Sequence, residues 1–256
     1  MLFVKLTALL LLVVPTLARA DALDDLRATL QRLQSGQTLR ARVQIKTERA
    51  GGESEKQKQS AGDSSVIVES GGQGLRMIWS AQQIQQSREA AAEKAAHPDA
   101  PRSALATLTA LEANDALDLL DAAEPLRRGL EGAVLLTDKS DTYKGKPARL
   151  LVIRLDLRLE EEARKALKDC DATLKLWLDG AGQPLAMDRD LHLRFSKFFL
   201  SYRVHDEEVR EFQLAGGRLV VTRSQHDNSG SGLGHKEDSH TTTTVTLLSA
   251  NEQAPN

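Results

Sequence analysis

From about residue 130 onward the chain alternates. In ARLLVIRLDLRLE, residues 148–160, Leu151, Ile153, Leu155, Leu157 and Leu159 are apolar, and Val152, Arg154, Asp156 and Arg158 stand between them. A side-chain period of two is the mark of a strand with one buried and one wet face. The pattern returns in ATLKLWLDGAGQPLAMDRDLHLRF, in FFLSYRVHDEEVREFQL, in GGRLVVTRSQ and in TTTTVTLLS. The connections are short and hydrophilic, and the Lys-Gly-Lys of TYKGKPA reads as a tight turn with Pro147 opening the next strand. Short connections imply antiparallel neighbours. A sheet with one apolar and one charged face needs cover on one side only.

The first part of the chain supplies that cover. Leu23, Leu26, Leu30 and Leu33 recur at three- and four-residue steps before Gly36, which predicts an amphipathic helix. In LRARVQIKTER, Leu39, Ala41, Val43 and Ile45 share one strand face, and SVIVES and GLRMIWS follow as two strands joined at Gly71-Gly72. Residues 50–64 between them read as a long polar hairpin tip. Residues 80–124 read as a helical insert. Its first helix, AQQIQQSREAAAEKAAH, forms helix readily but has almost only Ile84 to bury, which predicts a solvated surface helix. After Pro98 and Pro101, Leu105, Leu108 and Leu111 form a stripe, and Asn114-Asp115 is placed to cap a last helix ending at Pro125. The expected architecture is α+β. It is a broad curved antiparallel sheet of about nine to eleven strands, an incomplete barrel, with the N-terminal and inserted helices over its concave face. Residues 21–250 form one domain, and 251–256 read as a disordered tail.

Residues 1–20, MLFVKLTALLLLVVPTLARA, read as a secretory signal: Lys5, an apolar run to Val14, Pro15, and a small-x-small site at Ala18-Arg19-Ala20. The expected mature protein is periplasmic or secreted and not membrane-spanning. With 34 basic and 36 acidic residues the chain has no nucleic-acid footprint. Cys170 is the single cysteine, so no internal disulfide forms, and Asp169 and Asp171 beside it oppose a reactive thiolate.

The element order, with LDDLRATLQRLQSGQTLRARVQIKT as helix into first strand and LKLWLDGAGQPLAM as a mid-sheet hairpin, resembles the periplasmic lipoprotein-carrier fold. That fold is shared by LolA, LolB and the lipoprotein-like domain of RseB. The resemblance implies an incomplete barrel whose apolar concavity takes a lipid, acyl chain or lipoprotein-like ligand, with inserted helices as a lid. Asp21 follows the expected cleavage site, where an anchored member would carry a lipidated cysteine. The wall residues such a groove would use are Val43, Ile45, Met77, Trp79, Ile153, Leu155, Trp177, Met187, Leu191 and Phe195. The same pattern would serve equally as ordinary core against the helices.

Arg189 interrupts the apolar positions Leu185, Met187, Leu191, Leu193 and Phe195. A charge on an apolar face needs a partner, either an anionic ligand group or a neighbouring acid. HDNSGSGLGHKEDSH, residues 226–240, reads as the loop between the last two strands. Its glycines lack the following helix that a phosphate loop requires. Of its histidines only His226 and His240 could meet across a hairpin as metal ligands. Serine-nucleophile, zinc-peptidase and paired-cysteine signatures are absent, so no enzyme and no cofactor are expected. Three functions remain open: first a soluble carrier of a lipid, acyl chain or lipoprotein, then an envelope protein-interaction module with a sealed core, and last a metal-dependent envelope protein using the C-terminal histidines.

Overall fold

A computed structural model describes residues 18–33, 36–53, 58–97, 111–197, 200–232 and 234–249. Residues 1–17 of the expected signal segment, the Leu105–Leu108 stripe and the tail at 251–256 lie outside the described residues. The helices are α1 (Ala18–Arg32), α2 (Ala81–Ala96), α3 (Ala113–Leu120), α4 (Ala123–Gly129) and α5 (Glu161–Ala166). The strands are β1 (Leu39–Glu53), β2 (Lys58–Gly71), β3 (Gly74–Ile78), β4 (Val134–Tyr143), β5 (Lys146–Arg154), β6 (Leu167–Leu178), β7 (Pro184–Lys197), β8 (Leu200–Ala215), β9 (Arg218–Gly232) and β10 (His235–Leu247).

All ten strands join one antiparallel sheet in the order β3-β2-β1-β10-β9-β8-β7-β6-β5-β4. The molecule is α+β, as the alternation predicts, and the sheet stays open rather than closing into a barrel. All neighbours but one are consecutive in the chain, with β5 and β6 joined through α5. The exception is the β1–β10 pair, with Val43 opposite Val245, which joins the first strand of the chain to the last. The β4–β5 turn has φ of 50° at Lys144 and 77° at Gly145. Positive φ at both central residues suits the right-handed twist of a two-residue hairpin, so TYKGKPA is a turn.

One face of the sheet is covered. Leu23, Leu26, Leu30 and Leu33 of α1 and Ala116, Leu119 and Leu120 of α3 form a single core with Val43, Val68, Leu151, Ile153, Leu174, Leu176 and Leu219. A fully buried Leu contributes about 1.5–3 kcal/mol, so this stripe fixes α1 to the sheet. The Ala122 N–H donates to the Leu219 carbonyl at 2.8 Å and pins the α3–α4 corner to β9. α2 buries no residue, as its composition predicts.

Five expectations need correction. The helix expected to end at Pro125 is two helices: α3 stops at Leu120, and Pro125 lies in the first turn of α4. The α3 N-cap is Glu112, and Asp115 acts from inside the helix by accepting from the Glu112 N–H at 3.4 Å. Asn114 and Asp115 therefore lie within the first turn rather than ahead of it. β5 ends at Arg154, although Leu155 still donates to the Ala172 carbonyl at 2.9 Å and alternate burial continues to Leu159. The polar stretch 50–64 is largely paired strand, with β1 running to Glu53 and β2 starting at Lys58. The stretch 226–240 is not a loop either: β9 runs to Gly232 and β10 starts at His235. Of its three glycines, Gly234 has a φ of 79° in the β9–β10 turn, and Gly230 and Gly232 are explained by Tyr202 on β8. A Cβ on Gly230 would stand 2.3 Å from the Tyr202 hydroxyl, and one on Gly232 would stand 2.7 Å from its ring and from the Ser201 carbonyl. Only glycine leaves room for that ring in the strand.

Candidate functional site

Strand parity sorts the expected wall residues. Val43, Ile45, Ile153 and Met187 point under the helices and are 0–6% exposed. Met77, Trp79 and Leu155 pack at the margin of the same core. Leu191 and Phe195 share that face farther along β7, half-buried, where the helix that contacts β7, α5, buries no residue of its own. Trp177 is misplaced by the sequence reading. It lies between Leu176 and Leu178, both of which are buried in the core, so it points to the opposite face. There its ring meets Tyr143 at 5.6 Å and its indole N–H donates to Asp141 at 3.0 Å. The apolar run LKLWL hid this, because both faces of β6 are partly buried here: Leu150 and Ala186 flank Trp177 at 6% and 1% exposure.

Arg189 does sit on the helix-side face, and acids from the neighbouring strand answer its charge. β8 places Glu208 directly opposite it and Asp206 one pleat along. The guanidinium lies 2.7 Å from Asp206 and 3.3 Å from Glu208. Glu208 also receives Arg210 at 2.6 Å and the Ser224 hydroxyl at 3.4 Å. Asp206 also accepts from Asn228 at 3.1 Å and pairs with His226 at 2.6 Å. Burial opposes ionisation of Asp206. The hydrogen bonds from His226 and Asn228, with the Arg189 charge, outweigh it and hold the carboxyl well below the usual carboxylate range. The same hydrogen bond raises His226 against its own burial. Asp118 of α3 stands nearby, and its burial raises it while Arg210 pulls it down. The middle of the helix-side face is thus an ionic network in which Arg189, Arg210 and His226 answer Asp206 and Glu208, while the buried Arg189 Nε is left without a hydrogen-bond partner.

His226 and His240 do not meet. His240 pairs with Asp227 and His226 with Thr241, a one-residue offset that sends the two rings to opposite faces. His226 belongs to the Asp206 network; His240 Nδ1 lies 2.6 Å from Asp227. Cys170 is an exposed strand residue. Partial burial first, and then Asp171 and Asp169, push its thiol up, away from reactivity.

The opposite face of the sheet's far half, toward the β1–β2 and β9–β10 tips, is open. A groove of about 600 Å³ is lined by Glu48, Ala50, Ala61, Asp227, Ser229 and His240 among others. A second of about 440 Å³ is lined by Asp171, His192, Arg194, Arg203, Ser231 and Lys236 among others. His205 lines both. β7 places His192 directly opposite His205, and the rings stack at 4.1 Å with 10° between their planes. Both Nε2 atoms lie 3.1 Å from Asp190 Oδ1. The sequence reading missed this cluster because FSKFFLSYR carries no turn signal, so the β7–β8 register could not be read from it. The D-x-H spacing of Asp190 and His192 was the one available sign. Among the described residues no helix is long and apolar enough to cross a membrane. No family model, no curated protein and no solved structure matches this chain.

Proposed function

We propose that this is an exported, non-enzymatic protein-interaction module of the cell envelope, acting through the open far half of its sheet. The observation that carries the reading is the filled near half. Val43, Ile45, Ile153 and Met187, the centre of the expected lipid wall, are 0–6% exposed and share one core with Leu26, Leu30 and Leu120. A carrier cavity must be empty when unloaded, whereas these side chains are already in contact with helices. Beyond them the Arg189–Asp206–Glu208 network puts charge where an acyl chain would lie, and desolvating such a network is expensive. Interaction surfaces are by contrast mixed and wet, like the two grooves that meet at His205.

A second reading, carriage of an acyl chain or lipoprotein, is supported by one feature. Leu191, Leu193, Phe195 and Val204 are only half-buried on the helix side of the far half, and Tyr202 is 44% exposed beside them. Native mass spectrometry of periplasmically expressed protein separates the two. The expected result is the bare polypeptide mass, with no adduct after incubation with a fatty acid. A stoichiometric lipid adduct, lost on Phe195→Asp, replaces the first reading with the second. A photo-crosslinker at Ala61 should then capture an envelope protein that one at Leu117 of α3 does not; equal capture at both positions rejects the far-half surface.

A further inference from the structure

We propose that Asp190, His192 and His205 form a binding site for one borderline divalent metal ion of the zinc class. The inference stands whether or not the far half takes a protein partner. β7 and β8 are interior strands with neighbours on both sides, so the backbone beneath the three side chains is held by hydrogen bonds on each edge. Directly opposite residues in an antiparallel pair have Cβ atoms about 4.5–5.5 Å apart. His192 and His205 occupy such a pair, and Asp190 is on the same face one pleat away. The three donor atoms lie within 4.8 Å of one another, and each Nε2 is 3.1 Å from Asp190 Oδ1.

These distances suit a metal. Donors at about 2.0–2.1 Å around a tetrahedral ion are about 3.4 Å apart from each other. The two histidine–aspartate edges are already near that value. Imidazole ligates through a lone pair in its ring plane, so the stacked rings must swing apart by roughly 50° each to aim at one ion, a rotation that their partly exposed side chains leave room for. Two imidazoles and one carboxylate select zinc, nickel or copper over calcium and magnesium, which take oxygen ligands. The charge around the site is mixed. Asp171 opposite His192 and Glu207 opposite Asp190 favour a cation, and Arg194 and Arg203 one pleat farther oppose it. The side chains of Asp190, His192 and His205 are 44%, 53% and 42% exposed, and grooves open on both sides of His205. The remaining coordination positions therefore face solvent, as in an exchangeable three-ligand site rather than a closed structural one. His226 and His240 are not part of it, each having its own carboxylate elsewhere.

The test is zinc titration calorimetry on the full chain with no affinity tag. One ion per chain is expected, at micromolar strength or tighter. His192→Gln, His205→Gln and Asp190→Asn should each weaken binding at least tenfold, and His226→Gln and His240→Gln should leave it within about twofold. Unfolding curves of the metal-free variants check that the exposed substitutions leave the fold intact. In the unmutated protein, zinc should shift the imidazole resonances of His192 and His205, and magnesium should shift neither. Binding weaker than about 100 μM, affinity retained in the His192→Gln/His205→Gln double variant, or resonance shifts confined to other histidines would each overturn the site.

Discussion

Asp206 answers Arg189, His226 and Asn228 at once, which makes it the most exacting single position on the helix-side face. Its side chain is only 13% exposed. Asp206→Asn leaves two cationic partners facing an amide, and because Arg189 and His226 are 35% and 41% exposed the cost is about 2 kcal/mol, below that of a fully buried pair. Urea unfolding near pH 6 measures this; a cost below about 1 kcal/mol would mean that Glu208 alone satisfies Arg189. The two titrating partners act in opposite directions. His226 is raised above 6.5, so its contribution is complete below that pH and is lost as pH climbs through the raised value. Asp206 is depressed below 3.8, so its contribution is complete above that pH and is lost only in strong acid. The pair therefore stabilises most between these limits. The stability gap between the parent and His226→Gln should be largest near pH 5 and shrink toward pH 8. A gap that widens with pH contradicts the charged His226–Asp206 pair.

At the scale of elements, the alternation gave faces well and partners poorly. A period of two says which residues share a side, and that sufficed to place Val43, Ile153, Met187 and Arg189 correctly. It does not say which residue of the next strand lies opposite, since that depends on turn length. Hence Glu208 and Asp206 were not visible as partners of Arg189, nor His205 as the neighbour of His192, and His226 was aimed at a His240 that lies on the other face. Trp177 failed for another reason: where both faces of a strand are partly buried, the pattern loses its contrast. Glycine and serine in β9 read as loop because a turn and a strand lying under an aromatic ring need the same small residues. α2 shows local chemistry sufficing. With no buried residue, its stability rests on alanine propensity and on the reciprocal bonds between Ser80 and Gln83, the Gln83 N–H to the hydroxyl at 3.2 Å and the Ser80 N–H to the amide oxygen at 3.2 Å. Ser80→Ala should cost about 1 kcal/mol of helix stability. Amide exchange within α2 should accelerate about fivefold, with the sheet unaffected. Slowed global refolding, or no local change, would show that α2 is held by something other than its cap.

Across the whole molecule, hydrogen bonding and packing are distributed differently. β1 and β10 are interior along nearly their whole length, with Ala41 through Glu53 paired to β10 and Leu39 through Gly51 paired to β2. Their backbone ladders are as complete at the far tips as beside the helices. Side-chain burial is not: Ala41, Val43, Ile45 and Val245 are buried, whereas Glu48, Arg49, Lys236 and Glu237 are exposed. If ladders alone set local stability, amide exchange would be uniform along each strand. If packing decides it, the far half should open separately while the near half stays closed. Burying two aliphatic side chains is worth about 3–6 kcal/mol, or about two to four decades of opening equilibrium. Peptide-level exchange should therefore show residues 41–45 and 243–247 protected at least about a hundredfold more than residues 48–52 and 236–240. Such a gradient would fit a sheet whose near half supplies the rigid core and whose far half, where the grooves and the histidine pair lie, can adjust to an ion or a partner. Uniform protection along β1 and β10 would make the far half as rigid as the core, and adaptation there would then have to come from side chains alone.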